Sequence, residues 1–155
     1  EVIWNYLPHI YKPYDPCLIF PSDSLGYSLE GLAASWKDHV NNGILLVVQT
    51  SNNEVFGAFF EQNLKEGDSS LGALQKLPVR AGTIIKVHHP TGANLQYVHL
   101  GQQFLLFGGS GEGCSLQIDR ELRRGSSHRS ETFGNDPLAA SEDFRIELIE
   151  CFVLQ

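Results

Sequence analysis

The sequence predicts an α+β fold of two packed, mainly antiparallel β-sheets, a β-sandwich flanked by one or a few helices. Three observations carry this expectation: several short β-branched or aromatic runs bounded by turn residues, one strong hairpin pattern at 44–60, and a single stretch whose apolar residues recur at helical spacing. With 155 residues, 42% of them hydrophobic, the chain has the size of one domain, residues 1–155, able to bury a sizeable core. It contains no Met, so it is expected to be a piece of a longer or processed protein.

Asp15–Pro21 is a short apolar run between prolines, whose fixed φ marks the ends of a brief strand. Leu29, Leu32, Ala33 and Trp36 then repeat at helical spacing, with Ser28 as N-cap, so a helix is expected from Leu29 to about Val40. Asn41-Asn42-Gly43 ends it, because Asn and Gly tolerate positive φ. Ile44–Val48 reads as a fully buried strand, Ser51-Asn52-Asn53 as a turn, and Glu54–Phe60 as the returning strand. Gly57 within that strand marks either a bulge or a close backbone approach. Residues 61–81 give no clear periodicity and are left unassigned.

Order returns with Thr83–His88, a strand closed by Pro90, Thr91 and Gly92, followed by strands at Leu95–His99 and Gln103–Phe107. Gly108–Gly113 reads as a tight turn needing positive φ, leading into the half-buried strand Cys114–Asp119. The polar stretch Arg123–Arg129 precedes a final strand, Phe144–Leu154, in which Phe144, Ile146 and Leu148 share a face. Around Ile149 the alternation slips, implying a bulge or burial of both faces.

A formal charge of −7 argues against nucleic acid and against any general attraction to anionic lipid. Only Arg120, Arg123, Arg124 and Arg129 cluster, giving a local basic patch or simply a solvated loop face. Cys17, Cys114 and Cys151 form no spacing typical of a disulfide framework or zinc site, so a reducing, intracellular location and buried, inert thiols are expected. No apolar run approaches the ~20 residues of a membrane-spanning helix, and the N-terminus lacks signal-peptide character.

The catalytic possibilities are thin. Gly108–Gly113 lacks the Gly-Lys-Ser/Thr ending of a phosphate loop and is followed by a strand rather than a helix. His88 and His89 are adjacent, so in a strand they point to opposite faces, and His99 completes no metal spacing; no metal or cofactor is expected. Ser127, His128 and Asp136 supply a triad in name only, without a nucleophile elbow. Cys114 beside Glu112 lacks the positive surroundings a thiolate needs. Gly125–Leu138 reads as a polar clasp, with Phe133 and Leu138 plugging the core, or else as a partner-binding loop.

Several of these segments, taken in order, resemble the TLDc family. Gly26-Tyr27-Ser28-Leu29 is similar to its H-G-x-S-L start of the first helix, with Leu25 where His is usual. The run 45–59 is similar to its hairpin ending in V-F-G-A-F, which contains Gly57. Gly108, Gly109 and Gly111 match its glycine-rich turn, and 116–122, with Asp119, its L-x-L-D-x-x-L. Gly125, Ser127, Thr132, Phe133, Asn135 and Leu138 keep the spacing of G-x-S-x-x-C-x-T-F-x-N-x-x-L, with Ser130 in place of Cys. The closing W-G-F is replaced by Phe152-Val153-Leu154, and the best counterpart of the middle G-x-G-E-x-F-L-F element, 81–85, lacks its Glu. Trp4-Asn5-Tyr6-Leu7-Pro8 is similar to the run that opens the domain in members carrying an upstream TBC Rab-GTPase-activating domain.

The resemblance implies a non-catalytic protein-interaction domain acting in oxidative-stress resistance and vesicle traffic. It implies contact with the vacuolar proton-pumping ATPase and, through a TBC domain outside this sequence, with a Rab GTPase. The expected location is cytoplasmic, with peripheral placement on vesicles or endolysosomes and weak membrane contact. Arg120, Arg123, Arg124, Ser127 and Arg129 form the candidate partner surface. Gly26, Ser28, Gly57, Gly108, Gly109, Gly111, Asp119, Gly125, Thr132, Phe133 and Asn135 are expected to be structural. The competing readings are a redox-active or hydrolytic enzyme and a phosphoinositide-binding module.

Overall fold

A computed structural model of the chain describes residues 7, 9, 12–61, 72–79, 82–94, 98–110 and 113–155, with only the backbone path considered at 72–79, 82–84 and 110. The described elements are β1 (Pro16–Pro21), α1 (Ser22–Leu25), α2 (Leu29–Trp36), β2 (Gly43–Thr50), β3 (Val55–Glu61), β4 (Gly72–Val79) and β5 (Gly82–His88). They continue as β6 (Val98–Leu100), β7 (Phe104–Ser110), β8 (Gly113–Asp119), β9 (Arg124–Ser126) and β10 (Asp143–Leu154).

All pairings among the described strands are antiparallel, and the strands follow one hydrogen-bonded path, β5-β4-β3-β2-β10-β9-β8-β7-β6, with β1 added on β10. The expected antiparallel architecture with few helices is present, but the strands form a curled ten-stranded sheet rather than two separate ones. The 12-residue β10 makes this continuous, because its first three residues pair with β9 while its remainder pairs with β2 and β1.

One core draws on both arms of that sheet. Ile44, Leu46, Val48, Phe56 and Phe60 on β2 and β3 join Leu105, Phe107, Leu116 and Ile118 on β7 and β8, with Leu29, Leu32 and Trp36 of α2 in the same cluster. The Phe60 and Phe107 rings meet across it at 5.4 Å. A second cluster, Leu7, Leu45, Phe59, Ile85 and Leu154, covers the opposite face of β2 and β3, so these strands are apolar on both sides.

The 44–60 hairpin forms in unbroken register, Ile44 opposite Phe60 through Gln49 opposite Val55. No extra residue accompanies Gly57, which rules out the bulge. A Cβ there would collide with the Leu46 carbonyl, so Gly57 serves the close backbone approach. The Ser28 hydroxyl caps α2 by accepting from the Gly31 amide at 3.3 Å. The helix stops at Trp36, short of the expected Val40, where the Lys37 amide bonds to the Ala34 carbonyl and the His39 amide to the Trp36 carbonyl, three-residue bonds that tighten the chain out of helical spacing. Gln103 falls just outside the strand expected to begin there, and Leu95 lies outside the described residues.

Three elements escaped the sequence reading. α1 is too short for periodicity, β4 lies in the unassigned stretch, and β9 sits within the polar run that carries the arginines. Gly108 and Gly109 belong to β7 rather than to a turn, and Gly111 and Glu112 lie outside the described residues.

In β10, Ile146 lies opposite Thr50 and Leu148 opposite Gln49, leaving Glu147 as the extra residue of a bulge. The bulge transfers Leu148 off the face expected for it and brings Ile149, Cys151 and Val153 into the main core. Its disrupted polar groups find partners in the segment after β1. The Tyr27 hydroxyl donates to the Glu147 carbonyl at 2.9 Å, and the Ile149 amide donates to the buried Ser22 hydroxyl at 2.9 Å.

Candidate functional site

The segment from β7 to β10 holds most of the residues singled out for function, and its strands decide where each side chain goes. Side chains alternate across a strand, so one residue row faces the core and the next faces outward. Leu105, Ile118, Gly125 and Phe144 are paired in register across β7, β8, β9 and β10, with Leu105, Ile118 and Phe144 buried. Their neighbours Phe104, Asp119, Arg124 and Arg145 therefore form the outward row. A Cβ at Gly125 would meet the Phe144 ring at 2.5 Å, so that glycine makes room for the core aromatic.

Between β9 and β10 the chain forms a buried polar clasp. The Ser127 hydroxyl donates to the Ser115 carbonyl at 2.5 Å and accepts from the Leu138 amide at 2.8 Å. The Ser115 hydroxyl donates to Asn135 Oδ1 at 2.7 Å, and Asn135 Nδ2 donates to the carbonyls of His128 and Asp136 at 3.2 and 2.9 Å. Ser130 accepts from the Thr132 amide, and the Thr132 hydroxyl donates to Asn94. Phe133 and Leu138 insert into the core alongside. Gly108, at φ 63°, lies beneath this assembly; a Cβ there would meet Ser115 Oγ at 2.5 Å and Phe133 Cδ2 at 2.8 Å.

Ser127 is therefore removed from the expected partner surface, because it is fully buried. The arginines also part company. Arg120 borders a cavity of 270 Å³ between α2 and the β6–β7 turn, lined by Leu29, Ala33 and Leu100 with Glu30 as the opposing charge. The Arg123 guanidinium lies 3.4 Å from the centroid of Tyr27, a cation–π contact. Arg129 pairs with Asp136 at 3.1 Å. Arg124 points outward directly opposite Arg145 of β10, a residue that the reading of the linear arginine cluster missed. Asp119 accepts the Arg123 and Arg124 amides through Oδ1, at 2.9 and 3.2 Å, fixing the turn that presents them.

Among the described residues, those with potential chemistry do not converge. His128 contacts Glu142 at 3.8 Å, while Asp136 is engaged by Arg129. Burial pushes the Cys114 thiol up from its ordinary pKa and pushes Cys151 up to about 12, both away from thiolate formation. Cys17 is exposed, against the expectation that all three cysteines are buried. His88 is buried and His89 is exposed, as opposite faces of the chain require. No group of three metal-ligating side chains occurs among the described residues, and no described helix is long and apolar enough to cross a membrane.

The order of these features, capped helix, hairpin with Gly57, and glycine-bearing strand leading to the clasp, coincides with a family profile, the TLDc domain, that matches residues 1–155. The chain belongs to the TLDc family. This TLDc domain is 30% identical over 155 residues to "Oxidation resistance protein 1" of Homo sapiens, covering 100% of the chain and 18% of that protein. It is 30% identical over 170 aligned residues to "GTPase-activating protein skywalker" of Drosophila melanogaster, covering 97% of the chain and 28% of that protein. A third relative, "Nuclear receptor coactivator 7" of Gallus gallus, is 28% identical over 155 residues, with 17% of its length covered. The TLDc domain thus spans under a third of each of these curated relatives.

Proposed function

We propose that this TLDc domain is a non-catalytic protein-interaction module acting in oxidative-stress resistance and vesicle traffic. The observation that carries the reading is the use of its polar motif residues as structure: Ser127, Ser115 and Asn135 spend their hydrogen-bonding capacity on one another and on the backbone around them. A nucleophile needs a base within hydrogen-bond reach and access to substrate. Ser127 has neither, and burial holds Cys114 and Cys151 in their protonated form.

The oxidative-stress and traffic roles rest on the relatives, one named for oxidation resistance and one as a GTPase-activating protein. In this reading the partner is a subunit of the vacuolar proton-pumping ATPase, the setting is the cytoplasmic side of vesicles or endolysosomes, and any Rab GTPase is engaged by a TBC domain elsewhere. The contact runs through exposed arginines of the β8–β9 region. Affinity capture of pump subunits by the domain tests it: reversing Arg123 and Arg124 to Glu is expected to abolish capture, and capture at an unchanged level would remove this contact. A Cys-free variant that fails to protect cells from peroxide, while folding normally, would instead favour thiol chemistry.

A further inference from the structure

We propose that the outward row Arg145–Arg124–Phe104 is the docking surface for an acidic peptide segment of a partner protein, with the two guanidiniums taking carboxylates and the Phe104 ring an adjoining apolar side chain. The inference rests on the interaction-module reading above and specifies which face is used and what chemistry it recognises.

Arg124 and Arg145 are Cα partners in the β9–β10 ladder, and both are exposed on the same face. Like charges directly opposite one another destabilise a strand pair. Here they face each other in a chain of formal charge −7, in which acidic side chains outnumber basic ones. Neither guanidinium has a carboxylate within the 4.0 Å of an ion pair among the described residues. Asp119 is turned toward the Arg123 and Arg124 amides, whereas Asp143, opposite Ser126 on the same face of β10, and Glu147 at the bulge come within ion-pair distance of neither guanidinium. The pair thus presents two rigid donor forks that match carboxylate geometry.

Phe104 lies opposite Asp119 and is 44% exposed, a large apolar surface on the same side of the sheet. Strand spacing puts it about 10 Å from β9 and about 14 Å from β10. A partner segment with carboxylates grouped at one end and an apolar residue about 10 Å away fits the row. An anionic membrane fits less well, since electrostatic lipid binding draws on clusters of roughly four to eight basic residues, and the remaining charge of the chain opposes it.

The test is fluorescence anisotropy on the whole chain with a labelled glutamate-rich peptide ending in leucine, alongside its glutamine counterpart and phosphatidylserine vesicles. The glutamate peptide is expected to bind, with affinity falling as salt rises. Arg124→Glu with Arg145→Glu is expected to weaken it about tenfold or more. Lys12→Glu with Lys37→Glu, an equal charge change on exposed positions elsewhere, is expected to change it less than about twofold. Phe104→Ala is expected to erase the advantage of the leucine-ended peptide over one ending in glycine. Melting temperature checks folding: the single Arg124→Glu variant is expected to melt no lower than the parent, because it removes the repulsion. No binding by the parent, equal weakening by the lysine variant, or binding to vesicles in place of peptide would each overturn the proposal. Pump-subunit capture that survives Arg124→Glu with Arg145→Glu would overturn this surface and leave the interaction-module reading standing. Absence of capture by the parent, with peptide binding intact, would sink only the pump contact.

Discussion

The Ser127 hydroxyl donates to one backbone group and accepts from another in a site closed to water, so its removal leaves two buried polar groups unsatisfied. Ser127→Ala is expected to lower stability by about 1–3 kcal/mol, measured by urea unfolding, with no new activity gained or lost. His88 is the other buried polar residue with a clear consequence. Its Nε2 has no hydrogen-bond partner among the described residues, and burial, then Lys86 and to a lesser degree His89, hold its pKa below the ordinary value, with Asp136 acting in the opposite sense. The unfolded chain then binds a proton at higher pH than the folded one. The neutral-imidazole contribution is complete above the unfolded pKa of about 6.5 and is lost as pH falls through the folded value. Melting temperature is expected to decline between pH 7 and 5, and the decline to be shallower in His88→Leu; parallel profiles would show that other groups set the acid limb.

At the scale of elements, β10 is the strand on which the fold turns, and its bulge at Glu147 decides which of its side chains reach the core. The bulge is held by two side chains from far away in sequence, Ser22 and Tyr27. Tyr27→Phe removes the donor to the Glu147 carbonyl while keeping a ring for Arg123, and is expected to cost about 0.5–1.5 kcal/mol in denaturant titration. A slip in hydrophobic alternation near Ile149 was legible, because strands have period two. Its site two residues earlier was not, since that depends on whether Thr50 and Gln49 of β2 face Ile146 and Leu148. In the same way, α2 was readable from its cap and apolar spacing, whereas its end is set by the tighter turns after Trp36, which apolar spacing does not register.

Across the whole molecule, the core joins the two arms of the curled sheet through Phe60, Phe107 and Trp36. Trp36 meets Phe60 edge-on at 5.4 Å, so its fluorescence reports on the junction. Phe60→Ala is expected to cost about 3–5 kcal/mol through lost burial and the cavity left behind. Because that core is shared, tryptophan fluorescence and far-ultraviolet circular dichroism are expected to follow one coincident transition; separated transitions would mean the arms fold independently.

The amino-acid sequence alone determined the family, the central hairpin, the capped helix and the identity of the residues that build the clasp. These follow from local rules: turn residues, strand alternation, helical spacing, and small polar or glycine residues at fixed intervals. Only the tertiary structure decided what the arginines do. Arg120, Arg123, Arg124 and Arg129 are neighbours in the chain, yet a three-residue strand and two turns send them to a cavity, a tyrosine ring, an open sheet face and an aspartate. The residue that joins Arg124 is Arg145, brought opposite by ladder register. A tight turn fixes register within a hairpin, but β9 and β10 are joined by the long clasp, so no turn in the sequence specifies which of their residues meet.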